Sequence, residues 1–320
     1  MASRTMMVPA GLPRRGSGPL WLAAGLLGLT LLIALLARQE APAAPWPWAL
    51  GVLLCLVPSG LGIRWLAAGE HRAARTLPAA FTLLSAVLAT EALLRAYAVP
   101  AGLIPTPSKV LAALWNARVV LLQDTLYTFA LEALLGFVVG TLAGLLLSLL
   151  VVRVSFLERG LLPYAALFSS IPIVALAPVV VKAVGLEWPS KLVVVAITVL
   201  FPVVVGTVRG LRETNALHLD LMHSYAASPA QTFRDVRIPT ALPFVFNALK
   251  IASTLALISA IVAEFFGTDG HGLGFRIQIE VGRFNLDIVW AAIVLSSIVG
   301  LTFFALINGL ERRFVVTGSA

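Results

Sequence analysis

Few side chains in this 320-residue sequence have the types and the spacing that enzyme chemistry requires. None of the four lysines follows the glycine-rich pattern that cradles nucleotide phosphates. The four histidines do not repeat at metal-ligand spacing, and His218 and His223 stand five residues apart on a predicted solvated helix. No nucleophile and base form a recognisable pair. We therefore predict no catalytic residue, no metal site and no cofactor, and we expect the chain not to be an enzyme.

The residues that could handle charge are ionisable groups inside apolar runs. Glu132, Lys182 and Glu264 are the main cases, and charges within a membrane segment are functional candidates by default. Glu132 is a candidate ion partner inside a helix bundle, whereas Lys182 can extend to the membrane interface. Glu91 and Arg95 are four residues apart on one helical face, so we predict that they neutralise each other.

Membrane helices must position these residues. The chain is 59% hydrophobic and 12% charged, whereas soluble proteins average about 25% charged residues. Eight apolar runs are close to the roughly 20 residues that a bilayer requires, namely residues 19–37, 46–67, 77–98, 125–152, 161–184, 190–209, 242–266 and 288–310. The predicted fold class is an all-α, polytopic helical membrane protein. The single cysteine, Cys55, excludes an intrachain disulfide.

The distribution of basic residues predicts how the helices are oriented. If the N-terminus is cytoplasmic and the spans alternate, the inner segments carry fourteen arginines and the outer segments seven lysines or arginines. Both termini and residues 210–241 are then cytoplasmic. Membrane topology thereby explains the net charge of +8, and no nucleic-acid partner is expected. The first apolar run lacks a clear signal-peptidase site, which favours a retained span over a signal peptide.

A polar segment, residues 220–239, interrupts the apolar runs late in the chain. Leu217, Leu221 and Tyr225 repeat every four residues, so they share one face of a short helix. An ordinary amphipathic loop between two spans is one interpretation of this pattern.

A second helix is predicted to begin at Ser228. Its hydroxyl can cap the helix, Pro229 suits the first helical position, and Gln231 can complete a capping box. Pro239 and Pro243 are expected to end this helix, because proline lacks the amide hydrogen that continues the helical ladder. The segment is therefore predicted to be two short amphipathic helices folded back on each other.

The polar segment resembles the EAA loop of ABC-transporter importer permeases, which has the pattern E-A-A-x3-G-x9-I-x-L-P. The positions that fall on this pattern without a gap are Asp220, Leu221, Met222, Ala226, Val236, Ile238 and Pro239. The main departure is Ala226, which stands where the family has glycine. If the turn between the helices requires a left-handed residue, alanine costs roughly 1 kcal/mol or more there.

Residues around the loop resemble the nitrate/sulfonate/taurine-type branch of these permeases, which also includes vitamin-precursor permeases. The matching residues are Ser224-Tyr225, Phe233, Ala241-Leu242-Pro243 and Val262-Ala263-Glu264. The likeness implies a permease core of about six helices in residues 76–320, with a cytoplasmic coupling loop at 210–241. Residues 1–75 are then an N-terminal extension with two predicted transmembrane helices.

The apolar run 161–184 is predicted to be a broken helix that lines a translocation path. Ser169, Ser170 and Pro172 precede Pro178, and two prolines six residues apart interrupt the helical hydrogen bonds. A kink that only shapes packing is the alternative. Glu264 matches a family position at the outer end of the path, where gating and structural pairing are both open.

Other features are predicted to shape packing and the outer surface. Residues 99–124 are expected to be an external stretch, and residues 267–287 an irregular outer loop. Lys250 is expected to extend to the interface or to pair with the coupling loop. A small-residue face for close helix contact is predicted where small residues recur every four positions, at Gly136, Gly140, Gly144 and Ser148.

The resemblance implies a permease that moves a small solute inward by alternating access, driven by ATP. The 215–239 helices would dock into separate ATP-binding subunits, and a second copy of the chain would complete the path in a homodimer. An extracytoplasmic substrate-binding protein would deliver the solute to a permease embedded in lipid in the bacterial inner membrane. The implied coupling residues are Asp220, Leu221, Met222, Tyr225, Ala226, Ser228, Phe233, Val236, Ile238 and Pro239.

Two other functions are compatible with the residues alone. One is an ion-gradient-driven secondary transporter or channel that uses Glu132, Lys182 and Glu264, and the other is a scaffold whose loop recruits a partner. The solute is open between a small anion, such as nitrate or a sulfonate, and a vitamin or a precursor of the pyrimidine or flavin kind. No predicted span contains an arginine cluster, which favours a neutral or aromatic solute.

Overall fold

The computed structural model describes residues 73–154 and 171–315, together with residues 25, 28 and 160. The predicted spans 19–37 and 46–67 (apart from residues 25 and 28) and the stretch 161–170 lie outside the described residues. The regular elements with described bounds are all helical, so the all-α prediction is confirmed. These helices are α1 (Ala73–Ala96), α2 (Pro107–Asn116), α3 (Arg118–Arg153), α4 (Ile173–Val184), α5 (Trp188–Arg212), α6 (Ala216–Ser224), α7 (Pro229–Glu264), α8 (Leu273–Gly282) and α9 (Leu286–Phe314).

Among the described helices, α3, α5, α7 and α9 are long and apolar enough to cross a membrane. They correspond to the predicted runs 125–152, 190–209, 242–266 and 288–310. α3 and α7 begin earlier than their apolar runs, because hydropathy marks the part of a helix suited to lipid and not the residue where its hydrogen bonds begin. α4 is apolar but shorter, and it corresponds to the second part of the run 161–184.

The described residues divide into two compact units. The first contains α1, α2 and Phe284–Trp290. In α1 the guanidinium of Arg95 lies 2.6 Å from the carboxylate of Glu91, which confirms the predicted ion pair. The amide and hydroxyl of Ser108 also donate to Glu91, at 2.8 and 2.7 Å, so this pair fixes the start of α2.

The second unit contains α3 to α8 and the part of α9 from Ala291. Its central helix, α5, packs against α3 through the predicted small-residue face. A Cβ added at Gly140 would lie 2.5 Å from the carbonyl oxygen of Ala196, and one at Gly136 would lie 2.6 Å from the Cβ of Val195. Both distances are too short for a real side chain, so the glycines allow the two backbones to approach closely. The prediction of a packing face is confirmed.

The other side of α5 packs against α7 in the same way. Gly206 faces the Cβ of Ala248, and Gly210 faces Phe244 and the backbone of Ala241. The core between the helices consists of side chains from α3, α5, α7 and α9, including Val195, Val199, Val203, Ala252, Ala256 and Phe303. α5 is therefore held between α3 and α7 with little room for relative sliding.

Pro239 and Pro243 do not end a short second helix, so that prediction is wrong. α7 runs without interruption through a π turn at Phe233–Arg237. The α-helical hydrogen bonds resume at Ile238 after the π turn, so Pro239 lies in the first turn of this segment. Proline is tolerated in a first turn because its missing amide hydrogen is not needed there. The hydroxyl of Thr240 donates to the carbonyl of Val236 at 2.8 Å, which helps to satisfy the backbone of this turn.

Both predicted external stretches contain helices, and the second of them was expected to be an irregular loop. α2 and the start of α3 lie within residues 99–124, and α8 lies within 267–287. The glycines of the second stretch favour a loop, but the first amides of α8 are satisfied by side chains from distant helices, described below. Lys250 also differs from its prediction. Its ammonium pairs with Glu311 of α9 at 2.8 Å, because the ends of α7 and α9 bring the two groups together.

Candidate functional site

The polar segment folds as a helical hairpin made of α6, a tight turn and the start of α7. The side chain of Asn215 caps α6 by accepting a hydrogen bond from the amide of Leu217 at 2.9 Å. Leu217, Leu221 and Tyr225 are 71%, 52% and 76% exposed. We call these three side chains the α6 face. Exposed apolar side chains that share one face of a helix are typical of an interaction surface.

The turn after α6 requires a left-handed residue, and Ala226 occupies that position with φ of 50°. The amide of Ala226 donates to the carbonyl of His223 at 2.9 Å, and the amide of Ala227 donates to the carbonyl of Met222 at 3.0 Å. These two bonds form a Schellman motif, which usually has glycine at the left-handed position. Ala226 therefore carries the backbone strain that the sequence pattern anticipated.

The start of α7 has the predicted capping box. The amide of Gln231 donates to the Ser228 hydroxyl at 3.3 Å, and the amide of Ser228 donates to the Gln231 side chain at 2.8 Å. Pro229 occupies the first turn. Because α7 continues through the π turn into its apolar part, the hairpin is attached to a possible membrane span without a flexible joint.

The hairpin places the predicted loop residues at different depths. Asp220, Ala226, Ser228 and Pro239 are exposed, as is Ile238 at the start of the apolar part of α7. Other predicted residues are half-buried, namely Met222, Phe233 and Val236. Phe233 lines a cleft of about 750 Å³ beneath the hairpin, whose other walls include Arg153 at the end of α3.

The predicted path residues fall partly outside the described chain. Ser169 and Ser170 are not among the described residues. Pro172 is extended, with φ of −61° and ψ of 126°, and it directly precedes α4; the part of the predicted broken helix before it lies outside the described residues, so the break stays a prediction. Pro178 lies inside α4 and is half-buried. One face of α4 packs on α5 and α7 through Ala177.

Glu264, at the end of α7, is fully buried and holds the beginning of α8. Its carboxylate accepts hydrogen bonds from the Thr128 hydroxyl at 2.6 Å, from the amide of Gly274, and from the amide of Phe275 at 3.4 Å. The Thr128 hydroxyl in turn accepts from the amide of Leu273 at 2.8 Å. A carboxylate at this helix N-terminus is stabilised by the amides and the helix dipole. Of the two roles open to Glu264, this geometry favours structural pairing.

Two glycines make the approach to Glu264 possible. A Cβ at Gly272 would lie 2.3 Å from a carboxylate oxygen of Glu264, and one at Gly274 would lie 2.4 Å from the carbonyl oxygen of Ile261. Gly272 also has φ of 110°, which side chains rarely adopt. The Gly-Leu-Gly element therefore packs against a carboxylate, which is a different role from binding a nucleotide.

Asp124 completes the connection between α3 and α8. Its carboxylate accepts from the amide of Gly272 at 3.1 Å and from the guanidinium of Arg276 at 2.8 Å. Asp124 and Thr128 were not singled out from the sequence. The signal that could have found them is a polar residue every four positions along α3, at Asp124, Thr128 and Glu132.

Known proteins are similar to this chain in sequence. A family profile described as "Binding-protein-dependent transport system inner membrane component" matches residues 136–316. The probable ABC transporter permease protein of Haemophilus influenzae is 33% identical over 216 residues, which cover 68% of this chain and 87% of that protein. The formylaminopyrimidine transport permease protein ThiX of Halalkalibacterium halodurans is 32% identical, covering 66% and 84%. The riboflavin transport system permease protein RibX of Chloroflexus aurantiacus is 31% identical, covering 68% and 81%.

The fold is also similar to a solved structure. The MetNI methionine ABC transporter in an inward-facing conformation matches with a TM-score of 0.52 and 22% identity. The match covers 63% of this chain and 99% of the matched chain. At this identity the similarity describes the helical fold alone.

Proposed function

Since the chain belongs to the family of binding-protein-dependent transport system inner membrane components, we propose that its hairpin couples ATP hydrolysis on partner subunits to solute import. Like its permease relatives, the chain is a transmembrane permease subunit and not an enzyme. The observation that carries the coupling role is the α6 face, which is exposed and apolar at the tip of a hairpin that is continuous with α7.

The α6 face supplies the contact with an ATP-binding subunit. Leu217, Leu221 and Tyr225 fit a hydrophobic groove on that partner, in the way that an amphipathic helix binds in a groove. Asp220 and Met222 lie beside this face, and Ala226 and Ser228 hold the turn that orients it. Phe233, Val236, Ile238 and Pro239 connect the turn to the apolar part of α7.

α7 supplies the mechanical connection. It has 36 residues, which at 1.5 Å per residue corresponds to roughly 50 Å. Closure of two ATP-binding subunits would move two hairpins together, and each α7 would carry that displacement through the membrane to Glu264 and α8. The permease would then rock between inward-facing and outward-facing states.

A membrane location follows from the family, and the finer arrangement is part of the proposal. The hairpin and both termini face the cytoplasm of a bacterial cell, in agreement with the distribution of arginines. A second copy of the chain completes the path in a homodimer surrounded by lipid. An extracytoplasmic binding protein delivers the solute at the end of the bundle that contains α8.

The proposed path runs along α4 and its preceding break, with Ser169, Ser170, Pro172 and Pro178 as lining residues. Glu264 supports the outer end of this path by holding α8. We propose a neutral heteroaromatic solute, such as a vitamin or its pyrimidine or flavin precursor. The relatives ThiX and RibX bear names of this class. In the described spans α3, α5, α7 and α9, arginines occur only near the ends of α3, α5 and α9 and before the apolar part of α7, so no arginine lies at mid-membrane depth to bind an anion.

The coupling role is tested by a double variant, Leu221→Ala with Tyr225→Ala, in the transporter reconstituted with its ATP-binding subunit and binding protein. We expect ATP-dependent uptake to fall at least tenfold, because the variant removes most of the apolar face and truncation of buried interface aromatics typically costs about 2 kcal/mol or more. Co-purification of the ATP-binding subunit should weaken in parallel.

The matched control is Leu301→Ala with Phe304→Ala, which removes exposed apolar side chains from α9. This control should keep the wild-type uptake rate and the wild-type yield of the complex. Unchanged uptake by the α6 variant would contradict the coupling role.

A further inference from the structure

Glu132 is a buried acid that the transport role does not use. It lies in the π turn Tyr127–Leu134 of α3, and its exposed fraction is 0%. Neither of its carboxylate oxygens has a hydrogen-bond donor among the described residues. An ionised carboxylate without donors is very unfavourable in such a place, so Glu132 must either bind a cation or hold a proton.

Glu264 is the acid that acts on Glu132 across the contact between α3 and α7, and the two carboxyl groups are placed to interact. Glu264 already accepts from the Thr128 hydroxyl and from two amides of α8, so it behaves as an ionised acceptor. A remaining lone pair of Glu264 can accept one more donor. Glu132 can be that donor only if its own carboxyl group carries a proton.

The basic group that acts on this pair does not donate a hydrogen bond to Glu132. Lys191 is fully buried, and its ammonium donates to the carbonyl oxygens of Leu186 and of Glu187, the latter at 3.2 Å. It acts on Glu132 and Glu264 only as a neighbouring positive charge. One lysine balances one carboxylate, so a second ionised carboxylate would leave a net negative charge in the core.

Asp269 is the other charged group that faces Glu132. It lies in the partly exposed segment between α7 and α8 and accepts a hydrogen bond from the Tyr127 hydroxyl at 2.7 Å. Burial alone would raise the pKa of Asp269, but this hydrogen bond and the nearby His271 hold the pKa below its ordinary value. Asp269 therefore stays ionised, and its charge further disfavours ionisation of Glu132.

From this arrangement we propose that Glu132 and Glu264 form a buried proton-binding site that holds one proton between the two carboxyl groups. The proton is bonded to Glu132 and donated to Glu264. It completes the set of donors around the carboxylate that fixes the beginning of α8. Loss of the proton places two carboxylates in contact inside the bundle and weakens the attachment of α8 to α3 and α7.

The site makes stability depend on pH in a defined direction. Glu132 holds its proton in the folded chain and releases it readily in the unfolded chain. The folded state is therefore favoured at low pH and loses stability progressively as pH rises above the ordinary range of glutamate.

The test measures thermal unfolding of the purified, detergent-solubilised transporter from about pH 5 to about pH 9. Glu132→Gln keeps a donor toward Glu264 but has no proton to lose. We expect the Tm of this variant to rise steadily relative to wild type as pH rises. Glu280→Gln is the control, because Glu280 is a buried acid of the same unit that has basic partners, Arg276 and Arg283, at 3.5 and 3.3 Å. Its Tm should not rise relative to wild type with pH.

Infrared spectroscopy gives a readout that packing alone would not change. At about pH 8 the wild-type protein should show the carbonyl stretching band of a protonated carboxylic acid. The band should be absent in Glu132→Gln and present in Glu280→Gln. A spectrum without this band, or equal pH profiles for wild type and Glu132→Gln, would overturn the proposal. A dependence of the wild-type Tm on Na⁺ or K⁺ concentration that is absent in Glu132→Gln would also overturn the proposal. Such a result would indicate that a cation, and not a proton, occupies the site.

Discussion

Single residues define how the hairpin is made. Ser228 and Gln231 satisfy each other's backbone amides, and Asn215 caps the preceding helix, so both helix starts are specified locally. Ala226 is the exception, because it holds a left-handed conformation without being glycine. The orientation of the α6 face therefore depends on a strained residue. Strain of this kind is kept only where the surrounding hydrogen bonds enforce it.

Replacement of this strained residue should stabilise the permease. We expect Ala226→Gly to increase the free energy of unfolding by about 0.5–1 kcal/mol, since removal of the Cβ relieves the left-handed backbone. Ala227→Gly is the control, because Ala227 is the next residue and its φ is not positive. The control should lower stability slightly through the greater entropy of the unfolded chain. Chemical denaturation of the purified protein measures both, and a loss of stability in Ala226→Gly would contradict the strain.

The helices of the second unit are arranged around α5. Glycines of α3 allow that helix to approach one side of α5, and Gly206 and Gly210 of α5 allow α7 to approach the other. This packing gives α7 a fixed support along its apolar part. A helix that is rigidly packed over its length can transmit a displacement from the hairpin to α8, whereas a loosely packed helix would bend.

The contact between α3 and α5 should not tolerate even one added methyl group. In Gly140→Ala the new Cβ would lie 2.5 Å from the Ala196 carbonyl oxygen, and a backbone atom cannot move aside easily. We expect a loss of about 1–3 kcal/mol in unfolding free energy. Gly309→Ala in α9 is the control, because nothing lies within 4 Å of its added Cβ. It should be neutral or stabilising by up to about 1 kcal/mol. Equal stability of the two variants would contradict the close contact.

At the scale of the whole molecule, α7 joins two ends with different chemistry. One end carries the exposed hairpin, and the other carries the buried carboxylates that fix α8. Energy supplied by ATP-binding partners at the first end must reach the second end to change access for the solute. The proposed import mechanism therefore requires that the two ends face opposite sides of the membrane.

This requirement predicts the accessibility of two engineered cysteines. In a Cys55→Ser background, Ser228→Cys should react with an impermeant thiol reagent only in inside-out vesicles, because the hairpin is proposed to be cytoplasmic. His271→Cys, in the exposed segment before α8, should react only from outside intact spheroplasts. Mass spectrometry of the labelled chain gives the readout. Labelling of both positions from the same side would contradict the orientation.

The sequence by itself determined the features that depend on neighbouring residues. The helical class, the α6 face and the capping box follow from local periodicity and backbone preference, and the described residues confirm them. The resemblance to the EAA loop pointed to a turn at Ala226, and the structure shows that this turn is left-handed. The ion pair of Glu91 and Arg95 and the small-residue face of α3 were predictable for the same reason, because residues four apart share a helix face.

The tertiary structure alone decided what depends on distant partners. α8 forms where glycines predicted a loop, because side chains of other helices accept hydrogen bonds from the amides at its start. Asp124 and Thr128 are 148 and 145 positions away from the amides they bind, and Glu264 supplies the third acceptor. Lys250 forms an ion pair with Glu311, which is 61 residues away in the sequence. Proton sharing between Glu132 and Glu264 likewise needs two helices in contact. Local sequence specifies the long apolar helices, but desolvation and hydrogen bonding between helices decide whether α8 forms and which buried polar groups meet.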